Sequence, residues 1–193
     1  MTSTVEPLWV DDVEPSWVGD VLHFWFDEVG PDAWFKADPA LDECIRRRFG
    51  QRHAALAEHA NPESIASPSE ALATIIVLDQ FSRNLYRGSP RAFASDVLAL
   101  AIASAAVDAG FDRSLGLHQR VFLYMPFEHS EDRAAQARSV RLFRALDHGH
   151  YLKYAQQHRD IVDRFGRFPH RNRILDRTST AEELQFLMEH PGF

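Results

Sequence analysis

Signals that start and stop helices recur through the whole chain and are the strongest constraint on its fold. Ser67-Pro-Ser-Glu70 and Thr180-Ala-Glu-Glu183 have the spacing of capping boxes, in which a hydroxyl and a carboxylate bond to free amides of the first helical turn. Asp38-Pro39 and Ser89-Pro90 each have an N-cap residue followed by proline at the first helical position. Gly166 stands where a helix would end, because glycine readily adopts the left-handed conformation of a C-terminal stop.

The sequence predicts an all-α protein, since no alternating run of apolar and polar residues is long enough to indicate a sheet. About eight helices are predicted, over residues 15–26, 39–59, 68–86, 95–109, 116–125, 131–146, 151–165 and 181–189. Their short connections favour antiparallel helical hairpins. Because no clean internal period is present, a stacked tetratricopeptide-like array and an irregular bundle both stay open.

Length and composition predict one folded unit. With 193 residues, of which 45% are hydrophobic, the chain is long enough to bury one substantial core. We therefore predict a single helical domain over residues 1–193, in which residues 1–14 form a tail or arm. Trp9 and Trp17 precede or open the first helix, so the tail is predicted to fill a groove of the same molecule or of a second copy in a homodimer.

Charge and hydropathy limit the classes of partner. The formal net charge of −7 argues against a surface that neutralises nucleic-acid phosphates. The first residues lack the basic start and apolar stretch of a signal peptide, and the nearly apolar run 97–107 is too short to span a bilayer. We expect a soluble, cytoplasmic protein whose partners are neither nucleic acid nor membrane.

The chain shows no pattern typical of a metal or another cofactor. Cys44 is the single cysteine, which excludes an intramolecular disulfide and any site with several cysteine ligands. The histidines are scattered and have no spacing of the HExxH kind. The sequence therefore predicts neither a metal nor another cofactor.

One cluster of polar residues lies inside the helix predicted over 68–86. Asp79 and Arg83 are four residues apart on the apolar side of this helix, so they are expected to pair. Such a pair is either a buried ion pair that sets helix register or part of a site that faces a ligand. Asp79 is thus a catalytic candidate, and Arg83 and Asn84 are candidates for ligand binding.

A second cluster is Phe165-Gly-Arg-Phe-Pro-His-Arg-Asn172, where polar side chains follow the end of a helix. Ligand-binding candidates here are Arg167, Arg171 and Asn172, and His170 is a catalytic candidate. These side chains are expected to project from irregular backbone, which is where binding groups are common. They either form an anion site or act as a clasp that ties the loop to helix carboxylates.

Three further residues complete the list of candidates. Glu128 and His129 lie between two predicted helices and are expected to face a pocket, Glu128 as a catalytic candidate and His129 as a ligand-binding one. His158 falls near the centre of an apolar helix face, so it is expected to be buried or to line a cleft, and it is a catalytic candidate.

Four separated motifs together resemble a known family: Val21-Leu-His-Phe-Trp-Phe26, Leu78-Asp-Gln-Phe-Ser-Arg-Asn-Leu-Tyr-Arg-Gly88, Met125-Pro-Phe-Glu-His-Ser-Glu131 and Phe165-Gly-Arg-Phe-Pro-His-Arg-Asn172. In this order they are similar to the bacterial domain-of-unknown-function family numbered nine hundred twenty-four. The resemblance implies a fold like that of the tetratricopeptide-like helical superfamily and supplies no catalytic assignment. The family pattern has proline where Ser82 stands and glycine where Asp176 stands, so local geometry at these two positions is expected to differ.

The first functional hypothesis is a binding module that captures a small anionic ligand or the end of a peptide. Its cleft would be lined by Asp79, Arg83, His158 and the loop 167–172. Convergent Arg and Asn side chains without an evident nucleophile favour this interpretation.

The alternative is an enzyme of the hydrolase type. His158 or His170 would act as a general base. Asp79 or Glu128 would orient the imidazole, and the arginines of the 167–172 loop would stabilise developing negative charge. In a third interpretation, all of these motifs are determinants of the fold. The first two hypotheses require that the motifs meet in space, whereas the third does not.

Overall fold

The computed structural model describes residues 15–190, and over this range the chain forms helices and no strand, which confirms the all-α prediction. Its α-helices are α1 (Ser16–His23), α2 (Pro39–His59), α3 (Pro68–Ile75), α4 (Ser82–Leu85), α5 (Asp96–Asp108), α6 (Leu117–Glu128), α7 (Arg133–Arg144), α8 (Gly149–Phe165) and α9 (Ala181–Glu189). A π-helical turn, Phe24–Val29, continues α1, and a second one, Ile76–Phe81, joins α3 to α4. When α3, the π turn and α4 are counted as one run, the described residues contain eight helices.

The predicted caps are present. The Asp38 carboxylate accepts from the Ala40 amide at 2.8 Å, at the start of α2. The Thr180 hydroxyl accepts from the Glu183 amide at 3.2 Å while the Glu183 carboxylate accepts from the Thr180 amide at 2.7 Å, which is the reciprocal capping box. Gly166 ends α8 with a φ of 69°. Local sequence signals therefore determine these helix ends.

The end of α6 differs from the prediction. The sequence predicts that α6 stops at residue 125, before Pro126, but the helix continues to Glu128. Phe127 and Glu128 are 1% and 7% exposed, so the burial of this last turn outweighs the amide hydrogen bond that proline cannot make. Glu128 consequently lies on a buried helix end rather than in a connecting loop.

The π turn between α3 and α4 is widened, and side chains one turn later bond to its carbonyl groups. The Ser82 hydroxyl donates to the Leu78 carbonyl oxygen at 2.6 Å and accepts from Nε2 of His53 at 2.6 Å. Arg83 Nη1 donates to the Asp79 carbonyl oxygen at 2.5 Å. Proline at position 82 could make neither serine contact, so Ser82 adds a tie to α2 that proline would lack.

The core is built around α3 and the π turn that follows it. Every residue from 71 to 80 is buried, because α1, α2, α5 and α6 all pack against this segment. Aromatic rings of the π turns and α6 interlock there; Trp25 lies 5.5 Å from both Phe81 and Phe122 between ring centroids. Helices α6, α7 and α8 pack in succession as hairpins. Stacking of the tetratricopeptide kind stays a prediction.

The first and last described segments pack on the rest of the molecule through different contacts. Trp17 packs partly buried on the core with Arg52 over its ring at 5.0 Å, while the predicted tail, including Trp9, lies outside the described residues. At the other end, a small second cluster of Ile161, Val162, Phe168 and Phe186 holds α9 against α8.

The stretch Pro90–Asp108 is, by length and composition, able to cross a membrane, with a mean hydropathy of 1.4. Core helices of soluble proteins pass the same test, and α5 packs against α3 and α6. The arrangement is that of a soluble domain with one weak candidate span.

Candidate functional site

Asp79 is the centre of the polar network. It lies in the π turn Ile76–Phe81, and its side chain is fully buried. Burial by itself would raise the pKa of this carboxyl, but Arg83 and His129 outweigh burial and lower the pKa below its ordinary value of 3.8. Gln80 Nε2 also donates to the carboxylate. Asp79 is therefore a charged group in the core, held by donors on several sides.

The Arg83 guanidinium contacts two carboxylates. The first is that of Asp79, as the four-residue spacing predicted. Arg83 Nη1 lies 3.1 Å from the Asp79 carboxylate, which confirms the predicted pair. Its Nη1 and Nη2 also donate to the two oxygens of Asp96, at 3.1 and 3.2 Å. Asp96 starts α5, and no sequence pattern singles it out. The bidentate contact ties α4 to the first turn of α5.

His129 shares the Asp79 carboxylate with Arg83. Its Nδ1 lies 2.8 Å from the Asp79 oxygen, and since an ionised carboxylate can only accept, Nδ1–H donates. Burial lowers the pKa of His129 below 6.5, which keeps the ring neutral with Nε2 unprotonated. No described residue bonds to Nε2. Asp79 therefore sets the tautomer and orientation of an imidazole whose other nitrogen can accept a proton.

Glu128 and His158 form a second buried pair beside the first. Glu128 Oε1 lies 3.1 Å from His158 Nδ1, which also donates to the Tyr154 carbonyl oxygen at 3.0 Å. Burial, followed by the nearby charge of Asp79, raises the pKa of Glu128 to about 8. Burial lowers the pKa of His158 to about 3. Near neutral pH this pair is therefore mainly a carboxylic acid beside a neutral imidazole.

These side chains line a cavity of about 460 Å³, which is within the range of small-molecule sites. Five sequence-predicted residues contribute to its wall: Arg83, Asn84, Glu128, His129 and His158. Much of the remaining wall is aromatic, supplied by Trp34, Phe35, Phe143, Tyr151 and Tyr154. Asp79 is buried behind this wall and does not line the cavity itself. The side chains that bind to it separate it from any ligand in the cavity.

The 167–172 loop contributes little to this cavity, because two of its polar side chains form a clasp. Arg167 donates to both oxygens of the buried Glu183, at 2.6 and 2.9 Å, and this hydrogen bonding lowers the pKa of Glu183 to about 2. Asn172 donates to the Ser179 hydroxyl at 3.1 Å and accepts from Arg177 at 3.0 Å. Both contacts bind the loop to the segment that precedes and begins α9.

A second tie completes the clasp. Arg177 donates to both oxygens of Glu131, at 2.7 and 2.9 Å, and Glu131 also accepts from the Phe168 amide at 2.7 Å. Asp176, next to Arg177, has a φ of 53°, a left-handed conformation that favours glycine. The glycine that the resemblance implies at this position would adopt this conformation without strain.

We expect Arg167→Ala to loosen α9, because it removes both hydrogen bonds to the buried Glu183 carboxylate. Amide hydrogen exchange in 181–189 should accelerate, and the melting temperature should fall. Arg159→Ala is the matched control, since the ion pairs of Arg159 stay within α8. Unchanged exchange in α9 would show that Glu183 is held adequately by Thr180 alone.

Arg171 does not line the first cavity and contacts the backbone of His129 instead. It donates to the His129 carbonyl oxygen at 2.9 Å, contacts Asp96 at 3.4 Å and stacks between Phe93 and Phe168 at 4.7 and 4.6 Å. It lines a separate cavity of about 350 Å³, which His129 also borders. Arg171 thus supports His129 through the backbone instead of lining the first cavity.

His170, the remaining catalytic candidate, lines none of the described cavities. Burial lowers the pKa of His170 to about 4, and its ring lies 5.6 Å from that of Phe168. Within residues 15–190, no group of three or more His, Cys, Asp or Glu side chains is arranged to hold a metal ion.

Several residues of the cavity were not predicted from sequence. Gln80 and Arg87 stand inside the motif Leu78–Gly88 quoted above, so their position beside Asp79 and Asn84 was a usable signal. Tyr154 lies on the apolar helix face around His158, which was also a usable signal, whereas Lys36 looks like an ordinary surface residue until the helices are assembled.

The fold and the site together define an all-α protein with a partly aromatic cavity bordered by a buried Asp–His pair. The profile of a family described as bacterial protein of unknown function (DUF924) matches residues 21–191, and the chain belongs to this family. Among solved structures, it is similar to a protein of unknown function from Agrobacterium tumefaciens, with 44% identity and a TM-score of 0.84 over 90% of this chain and 98% of that one. No curated protein matches.

Proposed function

We propose that the cavity binds a small organic molecule and that His129 acts on it as a general base. The observation that carries the proposal is the 2.8 Å hydrogen bond between the buried Asp79 carboxylate and Nδ1 of His129. A general base needs an unprotonated nitrogen in a defined orientation, and a carboxylate behind the ring supplies both. Perturbed ionisable groups that border a cavity are typical of functional sites.

Glu128 extends this chemistry, because a carboxylic acid that is protonated near neutral pH can donate a proton. Burial raises the pKa of Glu128 to about 8, so the group is mainly protonated at pH 7. His129 would remove a proton from water or from the bound molecule, and Glu128 would deliver one to the departing or developing anionic oxygen. Hydrolysis by direct attack of water is the simplest reaction of this kind.

A binding module without chemistry is the second candidate. No Ser, Thr or Cys is among the described residues that line the cavity, so a covalent intermediate on such a side chain has no support there. The peptide-end version is less favoured than a small ligand, because the 167–172 loop is largely engaged in its clasp. For either candidate function, we propose that the protein is cytoplasmic and that its helices stack in the tetratricopeptide-like manner.

The test is His129→Gln, assayed with a panel of p-nitrophenyl esters, p-nitrophenyl phosphate and amide analogues. We expect the turnover seen with wild-type protein to fall by roughly 10²- to 10⁴-fold, the usual contribution of a general base. His59→Gln, at an exposed position on α2, should leave the rate unchanged. A rate within twofold of wild type for His129→Gln would refute the base. Binding of a panel member without turnover by either protein would favour the binding module.

A further inference from the structure

The cavity described above carries an excess of positive charge on its wall. Lys36, Arg83 and Arg87 all line it. The carboxylates that balance the two arginines, on Asp42, Asp79 and Asp96, are not part of the lining. A ligand in the cavity would therefore contact the cationic side chains directly, whereas the carboxylates lie behind them. This arrangement favours a ligand that carries negative charge.

Lys36 is the cation with least compensation. Among the described residues, it makes no ion pair and no side-chain hydrogen bond. It lies two residues before Asp38, the N-cap of α2, next to where Arg87 and Asn84 both bond to Asp42 in the first turn of that helix. Arg87 uses Nε and Nη2 for Asp42 and keeps Nη1 for another partner. Two donors are thus available on this side of the cavity.

The one carboxyl that does line the cavity does not cancel this charge near neutral pH. Glu128 is 7% exposed and lies among apolar side chains at the end of α6. Because burial raises the pKa of Glu128 to about 8, the group faces an occupant mainly as an uncharged donor and acceptor. An anionic ligand would therefore meet little repulsion from it.

The rest of the wall suits a flat apolar body. Phe35 and Tyr154 border the cavity and are 63% and 45% exposed, so within the described residues both rings are open to contact with an occupant. Trp34 and Phe35 form an edge-to-face pair with ring centroids 6.4 Å apart. Aromatic faces and edges of this kind pack well against a planar ring.

From this arrangement we infer that the ligand of the cavity is an aromatic carboxylate, whose ring lies against Phe35 and Tyr154 and whose carboxylate pairs with Lys36. This inference rests on the proposed function in that it places the ligand in the same cavity as His129. It adds the chemical class of the molecule, which the Asp79–His129 pair by itself does not determine.

The test uses 1-naphthoate and its neutral analogue 1-naphthamide, each titrated calorimetrically at pH 7 into the full chain. Wild-type protein should bind naphthoate at least about tenfold more tightly than the amide, the effect of one good charge-assisted contact. Lys36→Gln should remove most of that preference and leave amide binding unchanged. Lys153→Gln replaces the only other lysine of the chain, an exposed residue of α8 outside the cavity lining, and should behave as wild type.

Tyr154→Ala supplies an independent check of the ring contact, because it should weaken both ligands to a similar degree. Equal affinity of wild-type protein for the two ligands, a Lys36→Gln variant that keeps the preference, or binding of neither ligand would overturn the inference. The His129→Gln variant should retain its affinity for naphthoate. If naphthoate binds as expected but turnover is independent of His129, the proposed base fails and the ligand class stands. If turnover depends on His129 but naphthoate does not bind, the base stands and the ligand class fails.

Discussion

Asp79→Asn is expected to lower the free energy of unfolding by about 3 kcal/mol, the lower end of what removal of one partner from a buried ion pair costs. The substitution keeps the shape of the side chain but removes its charge. Arg83 then keeps only Asp96 as a charged partner, and His129 faces an amide that can donate as well as accept instead of a carboxylate that only accepts and so fixes its tautomer. In a chain of this size, the melting temperature should fall by roughly 6–12 °C, measured by calorimetry.

The control for this variant is Asp108→Asn, because Asp108 is 69% exposed and pairs with Arg138 at the surface. It should change the free energy of unfolding by less than about 0.5 kcal/mol. A stability of Asp79→Asn equal to that of wild type would show that Asp96 alone compensates Arg83.

Glu128→Gln is expected to make the protein more stable than wild type in mildly alkaline solution. The folded-state pKa of Glu128, about 8, lies above its ordinary value of 4.5. Below about pH 4.5 the group is protonated in both states and contributes no pH dependence. Between these values the unfolded chain releases the proton while the folded chain holds it, so stability falls with rising pH by up to about 1.4 kcal/mol per unit. Glutamine cannot ionise and removes this loss.

The measurement is denaturant unfolding of both proteins at pH 4.5 and pH 8.5. The stability of Glu128→Gln relative to wild type should increase by about 2–4 kcal/mol between the two pH values, because other titrating groups cancel in the difference. Glu63→Gln, at an exposed position, should show no such change. A constant difference across pH would mean that Glu128 is ionised in the folded protein at neutral pH, which would remove it as a proton donor.

Both predictions concern buried polar groups that the fold does not need as such. Apolar residues in place of the whole ion pair, or of the Glu128 carboxyl, would cost little stability. A buried ion pair is often no more stabilising than well-packed apolar residues, and an isolated buried carboxyl is a net cost above its ordinary pKa. The Glu128 carboxyl accordingly costs stability at pH 7 while it borders the cavity. This combination is typical of residues retained for function.

Local structure was largely predictable from the sequence. The bounds of α2 and α9 agree with the predicted 39–59 and 181–189, because their caps are formed by residues within one turn of the helix end. The Asp79–Arg83 pair was also predictable, since residues four apart meet on one helix face wherever that helix lies. Pro126 shows the limit of such reasoning, because packing of Phe127 in the core continues α6 past a residue that ordinarily ends a helix.

Only the tertiary structure decided which polar groups share a site. Sequence reasoning left either Asp79 or Glu128 to orient His158 or His170. Folding pairs Glu128 with His158 at 3.1 Å and places Asp79 on His129, a residue 50 positions away in the chain. It also left Arg167 either in an anion site or in a clasp to helix carboxylates, and the structure pairs this side chain with Glu183 of α9. Helix caps and four-residue pairs depend on local backbone geometry, so the sequence by itself determined them. The Asp79–His129 pair and the Lys36 side of the cavity depend on how separate helices pack, and only the assembled core brings them together.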